Sequence, residues 1–490
     1  MKLHQLLADS ARRRPDAVAV HGPEGPVSYR ELDALADRYA AALAARGVGP
    51  GDRVVIWSRK GLHPIAVMQA ALRLGALYVP VTGTNPPARL ALIVRSAEPV
   101  LVVADEEAER RARAADWDAA ELLGFAPLLR LADEGAAAPP HHPAGPDEPA
   151  YILYTSGSTG APKGVCISHR AALAFVTWAA AELEVGPADR LSNHAPFNFD
   201  LSVFDLYAAF LAGASVHLVP EELAYAPTQL AQFIHDREIS VWYSVPSALS
   251  QMMREGGLLD GPPPQALRAC VFAGEPFAPH HVRTLRQAWP KVRMLNWYGP
   301  TETNVCTSYE VTEADLERDT AVPIGSACSG DTVVLDPEGA AEGEVVVSGP
   351  TVMLGYWGGP RQQGPYRTGD LARRGADGNL TYVGRRDHMV KIRGHRVELG
   401  EVEAVIAALD GVAEAAVLVL GQGLAAELHA VVVPAGDKRP SLLAVKRRCA
   451  ERLPTYMIVD RLSVRAELPR TPNGKLDRRL LLTEAEAARS

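Results

Sequence analysis

Residues 151–164 read Tyr-Ile-Leu-Tyr-Thr-Ser-Gly-Ser-Thr-Gly-Ala-Pro-Lys-Gly, an apolar strand that runs straight into a loop of hydroxyls, glycines and one lysine. Thr155, Ser156, Ser158 and Thr159 offer hydroxyls, Gly157, Gly160 and Gly164 leave the backbone N–H groups unhindered, and Lys163 adds a cation. Such a set can wrap a polyphosphate and neutralise it. It is not the Walker pattern, because no Ser or Thr follows the lysine and the hydroxyls come first. The surroundings set the fold class. Helical spacing in SYRELDALADRYAAALAARGV alternates with β-branched runs such as DRVVIW and VLVVA, and the alternation returns from about 185 to 310 with SVHLV, VWYSV and ACVFA. Strands alternating with helices predict an α/β sheet covered on its faces.

Two further regions differ in pattern. From about 322 to 384 short strands with turns dominate (DTVVLD, GEVVVSG, NLTYVG) and predict a small β-barrel-like subdomain. Residues 388–490 have their own strand and helix pattern and read as a separate α+β lobe, so the expected division is 1–387 and 388–490. Length agrees, since 490 residues suit about three domain-sized units. The net charge of −8 argues against a protein that coats nucleic acid. The first residues lack a signal-peptide core and no apolar run is of membrane-spanning length, which predicts a cytoplasmic protein without membrane partners. Five cysteines, Cys166, Cys270, Cys306, Cys328 and Cys449, are odd in number and lack CxxC spacing, so buried thiols are expected rather than disulfides or zinc. The pairs His141-His142 and His280-His281 lack ligand spacing and read as solvated loop residues.

YTSGSTGAPKG resembles the phosphate loop of adenylate-forming enzymes, the superfamily of acyl-CoA synthetases and of amino-acid adenylation domains in nonribosomal peptide synthesis. Further motifs follow in family order across the whole chain: Asn296-Trp-Tyr-Gly-Pro-Thr-Glu302, Tyr366-Arg-Thr-Gly-Asp370, Gly384-Arg-Arg-Asp387, Val390-Lys-Ile-Arg-Gly394-His-Arg-Val-Glu398 and Pro472-Asn-Gly-Lys475. The resemblance implies a large core of two α/β subdomains plus the β-rich one, a mobile C-terminal lobe, and ATP with Mg²⁺. Its roles transfer by position. Thr155 to Gly160 and Lys163 meet the phosphates, and Glu302 holds the metal, as a carboxylate suits Mg²⁺. Gly274 and Glu275, with Asn296, Trp297 and Tyr298, resemble the walls of the adenine site, with Tyr298 against the base, and Gly299 and Thr301 join the residues that bind the nucleotide. Asp370 and Arg385 take the ribose. Lys475 bridges carboxylate and α-phosphate, where a cation stabilises accumulating negative charge. Asp387 is the hinge, and Arg393, Gly394 and His395 form the loop presented for thioester formation.

The segment His194-Ala-Pro-Phe-Asn-Phe-Asp200 separates the subfamilies, since amino-acid activators place an aspartate at Asp200 to pair with the substrate ammonium. The family's pocket positions are Asp200, Leu201, Phe204, Tyr243, Val271, Ala273, Trp297, Val305, Cys306 and Lys475. The lining is apolar between two charged ends, with large rings at Phe204, Tyr243 and Trp297. A small neutral amino acid fits, alanine first. The resemblance therefore implies a ligase that makes aminoacyl-AMP and loads a separate carrier protein bearing phosphopantetheine, as in antibiotic biosynthesis. D-alanine–carrier ligase, prolyl–carrier ligase and acyl-CoA synthetase of a non-amino acid are the alternatives. Ala273 stands where the D-alanine ligase typically has cysteine.

Overall fold

In a computed structural model that describes residues 1–133, 138–143, 145–157, 161–386, 389–392, 394–421, 426–436, 439–470 and 476–488, the β-branched runs form buried strands. Val54, Val55, Ile56 and Trp57 are all enclosed, as strands covered by helices on both faces must be. The helices begin where side chains can satisfy their first amides. Ser28 accepts from the Glu31 amide while Glu31 reaches back to the Ser28 amide, and Ser168 accepts from the Ala171 amide.

The chain divides into two compact units. The first comprises Met1–Gly83, Val94–Tyr154 and Gly164–Arg386. Its described strands form three sheets. The nine-stranded sheet runs in the order 326–327, 307–310, 293–298, 269–273, 241–244, 190–193, 215–218, 18–22 and 25–28. Its middle is parallel, with Tyr243 beside Val271 and Ala273 beside Trp297. Alternate residues of these strands enter different cores, because successive side chains leave a strand on opposite faces. Tyr243, Val271, Ala273, Leu295 and Trp297 join one, while Trp242, Cys270, Phe272 and Met294 join another. The seven-stranded sheet centres on Leu77–Thr82 and Arg53–Ser58, which pair in parallel. The β-rich region is an open antiparallel sheet of four strands, 332–336, 342–348, 366–374 and 380–385. That number is too small to close into a barrel, so the barrel-like expectation resolves into a sheet.

The second unit comprises Thr84–Ile93, Thr155–Lys163 and Asp387–Ser490. Its later part holds a hairpin, Met389–Ile392 with His395–Glu398, and a three-stranded sheet of Val412–Leu420, Glu427–Pro434 and Arg461–Val464. Helices Leu399–Ala407 and Leu442–Arg452 pack on that sheet's core through Val402, Ile406, Val445 and Cys449. Two segments far upstream, 84–93 and 155–163, belong to this unit, which the linear division at 387 did not anticipate. Long-range polar contacts carry them: Arg89 pairs with Glu401, and Ser156 bonds to the backbone of Arg396 and Glu398. Among the described residues, no helix is long and apolar enough to cross a membrane.

Candidate active site

Parallel strands deliver their following loops to one edge of a sheet, which is where ligands of open α/β sheets bind. In the nine-stranded sheet three such loops carry the expected residues. Asp200 follows Arg190–Asn193, Gly274 and Glu275 follow Ala269–Ala273, and Gly299 to Glu302 follow Arg293–Tyr298. Gly274 has φ +92°, a backbone state that favours glycine. At Gly299 the reason is contact instead, since a Cβ there would lie 1.6 Å from the Asn304 carbonyl oxygen. That close turn folds Thr301–Thr303 into a 3₁₀ segment with Glu302 at its centre.

Glu302 is fully buried, and the Tyr356 hydroxyl donates to its Oε1 at 2.7 Å. A carboxylate there fits Mg²⁺, which takes one or two protein carboxylates and completes its shell with phosphate oxygens and water. Among the described residues no group of three or more His, Cys, Asp or Glu could hold a metal by itself. Asp370 lies opposite Arg385 across an antiparallel pair, and the two form an ion pair. The Tyr298 hydroxyl donates to the other Asp370 oxygen at 2.7 Å. Tyr298 is thereby engaged with Asp370, and burial together with that carboxylate raises its phenol well above the usual range. Asn296 donates to the Pro323 carbonyl at 2.8 Å. Glu275 accepts from the Ser247 amide at 3.0 Å and so caps the helix Pro246–Glu255.

Three of the residues expected to line the acid pocket form a cage of rings. Phe204 and Trp297 meet edge-on at 5.3 Å and 90°, Tyr243 and Trp297 at 5.2 Å and 71°, and Phe204 and Tyr243 at 5.7 Å and 83°. Edge-to-face pairs of this kind are attractive beyond the area they bury. The cage is braced by two residues that sequence reasoning missed, Trp178 at 5.2 Å and Phe175 at 6.2 Å from Trp297. Both lie on the helix His169–Glu182, whose apolar face carries no local sign of its neighbour. Val271, Ala273, Val305 and Leu201 join the same core. Cys306 does not: it packs with Tyr298 against the four-stranded sheet, and burial pushes its thiol up to about 12. Asp200 is only partly buried. It stands at the N-cap of Leu201–Ala212 with φ −61° and ψ −26° and makes no capping bond. Its charge contributes to raising the hydroxyls of Tyr151 and Tyr243, after burial as the main cause.

A Cβ on Gly157 would lie 1.9 Å from the Ala161 carbonyl oxygen. Among the described residues the buried Oγ1 of Thr155 has no hydrogen-bond partner, which suits a hydroxyl that meets a ligand. Ser156 is buried, donating to the Arg396 carbonyl at 2.7 Å and accepting from the Glu398 amide at 3.2 Å. Gly394 has φ +81° in the hairpin turn, and His395 stacks on Tyr456 at 3.8 Å. Ser158, Thr159, Gly160, Asp387, Arg393 and Lys475 lie outside the described residues. The expected solvated histidines also change character: His142 contacts Glu148 at 3.2 Å and His281 contacts Ser250 at 2.9 Å.

Comparison with known proteins identifies the family. The family description "AMP-binding enzyme" matches residues 7–357, and "AMP-binding enzyme C-terminal domain" matches residues 401–475. The chain is 47% identical to an L-proline–[L-prolyl-carrier protein] ligase of Pseudomonas fluorescens, over 99% of both chains. It is 40% identical to a ligase of the same description from Streptomyces coelicolor, over 94% of this chain and 92% of that one. The crystal structure of IdnL1 superposes with a TM-score of 0.79 at 33% identity, covering 96% of this chain and 99% of the other.

Proposed function

We propose, from the premise that this chain belongs to the AMP-binding enzyme family, that it activates L-proline as prolyl-AMP and passes the prolyl group to the phosphopantetheine thiol of a separate carrier protein. The observation that carries the reading is 47% identity along 99% of both chains to a prolyl–carrier ligase. Alanine, favoured from residue sizes, has no support from the relatives quoted above. The ring cage suits proline better. A pyrrolidine ring is compact, apolar and closed on itself, so it loses little conformational freedom between Phe204, Tyr243 and Trp297. Its secondary ammonium keeps one positive charge and two N–H donors for Asp200.

Two reactions share the site. In the first, a proline carboxylate oxygen attacks the α-phosphorus of ATP, the bond to the bridging oxygen breaks, and pyrophosphate leaves. No general base is needed, because the carboxylate is already ionised at neutral pH. Asp200 orients the substrate through its ammonium. Asp370, steered by Tyr298 and Arg385, accepts the ribose hydroxyls. When bound at Glu302, Mg²⁺ offsets the charge of the ATP phosphates. By its place in the family motif, Lys475 would supply the cation that stabilises the carboxylate and α-phosphate oxygens as they crowd together. In the second reaction the carrier thiol attacks the acyl carbonyl, AMP leaves, and the thiol proton passes to solvent. Gly394 and His395 belong to the loop presented for that step, with Asp387 as the hinge between the two arrangements.

ATP–pyrophosphate exchange with L-proline, D-proline, both enantiomers of alanine and propionate tests the reading. L-Proline should give the highest kcat/KM. A preference for alanine would overturn the substrate, and a preference for propionate would overturn the amino-acid class. Loading assays with a holo-carrier protein and with free coenzyme A then identify the acceptor, and the carrier should be the faster.

A further inference from the structure

Asp200 begins a helix that it does not cap, so the helix end does not fix its side chain. Where its carboxylate stands depends on the segment 194–200 that leads to it. Both ends of that segment are tied to one polar cluster in the first unit. At the entry, Lys60 Nζ donates to the Asn193 carbonyl and to the His194 carbonyl, each at 2.9 Å. At the exit, Asp205 on the helix Leu201–Ala212 accepts from Asn193 Nδ2 at 3.0 Å. Asn193 is therefore held through its backbone by Lys60 and through its side chain by the helix that Asp200 starts.

Lys60 comes from elsewhere in the fold. It lies between the strand Arg53–Ser58 of the seven-stranded sheet and the helix Leu62–Arg73, whereas Asn193 ends a strand of the nine-stranded sheet. Glu221 also faces the ammonium, and its carboxyl is raised by burial against the pull of Lys60. Burial likewise raises Asp205 and lowers Lys60 to about 8. Buried ionic groups in such a place are often no more stabilising than apolar residues of the same volume, and their best-attested use is to select one geometry.

We propose that Lys60 is a positioning residue for amino-acid recognition, holding the carbonyls of Asn193 and His194 so that the 194–200 segment presents Asp200 at one fixed place. The proposal rests on the reading that Asp200 binds the substrate ammonium. Pyrophosphate exchange with Lys60→Met is the test. KM for the amino acid should rise roughly tenfold to a hundredfold, the range for losing hydrogen bonds to a charged donor, while KM for ATP stays within about twofold. Lys60→Arg, which keeps the charge and can still donate to two carbonyls, should recover part of the loss. Lys60→Met/Glu221→Gln also removes one of the acids that Lys60 faces, and it carries the test if the single variant does not fold. An unchanged amino-acid KM in a folded variant, or equal loss on both substrates, would overturn the proposal. Asp200→Ala separates the two readings. If it raises the amino-acid KM and the Lys60 variants do not, only the positioning role fails; if it has no effect, the reading of Asp200 fails first.

Discussion

On the proposed reading, the single carboxylate of Asp200 separates amino-acid activation from the activation of plain acids. Its partial exposure sets the size of the effect expected on removing it. Asp200→Ala should raise KM for proline about tenfold or more, as for a lost charge-assisted hydrogen bond of ~1.5–3 kcal/mol, and leave KM for ATP nearly unchanged. Steady-state exchange kinetics measure both, and equal changes in the two would contradict the assignment. Motif residues were legible one by one because each sits at a fixed offset from glycines that the backbone demands, as at Gly299 and Gly157. Their partners were not. Tyr356 reaches Glu302 across 54 residues, and Lys60 reaches Asn193 across 133. No local pattern marks either, because nothing in a sequence records which loops meet at a sheet edge.

Among elements, the helix Leu399–Ala407 offers the sharpest test. Its Glu401 is 1% exposed and pairs with Arg89, 4% exposed, from the helix Pro87–Ala97. Burial pushes the Glu401 carboxyl up, opposed by Arg89 and the Gly157 amide. Arg89→Met would leave that acid buried without its cation, and breaking such pairs costs about 3–5 kcal/mol. The variant should therefore unfold at markedly lower urea than wild type, and Arg89→Met/Glu401→Met should recover much of the loss. No recovery in the double variant would mean that packing, not charge, holds these segments together. The helices themselves were readable in advance, since Leu442–Arg452 announces its start with Ser441 and its buried face with Val445 and Cys449.

Over the whole molecule, charge and protonation set two expectations. Burial lowers His4 to about 3, His169 to about 4 and His217 to about 3. These folded values lie below the unfolded one, so as pH falls below about 6.5 the unfolded chain takes up protons first. Stability should be level above that pH and fall between about 6.5 and 4, by ~1.4 kcal/mol per pH unit for each histidine in its window. Urea midpoints at pH 7.5, 6 and 5 check this, and a flat profile would show the histidines to be solvated. The second expectation concerns the carrier. Residues 388–490 hold more Lys and Arg than Asp and Glu although the chain as a whole is at −8. On the helix Leu442–Arg452, Arg447 is 77% exposed and Leu443 78%, whereas Arg448 is mostly covered and Glu451 lies 3.9 Å from both arginines. Arg447→Glu/Arg452→Glu should slow loading of an acidic carrier several-fold at low salt and leave pyrophosphate exchange intact. Unchanged loading would move the dock elsewhere.

The sequence by itself determined the α/β class, the order of the motifs and the type of chemistry, because each rests on short-range regularities: side-chain period, turn glycines and loops of fixed spacing. Tertiary structure decided the rest. It built the cage of Phe204, Tyr243 and Trp297 from a helix and two strands, and it braced that cage with Trp178. It turned Cys306 toward Tyr298 and out of the cage. It also set Lys60, half-buried and charged, beneath the segment that carries Asp200. These are outcomes of which strands lie side by side and in what register, and a one-residue slip would send every side chain to the opposite face. Residue identity names the candidates for a site; strand register and loop convergence decide which of them meet.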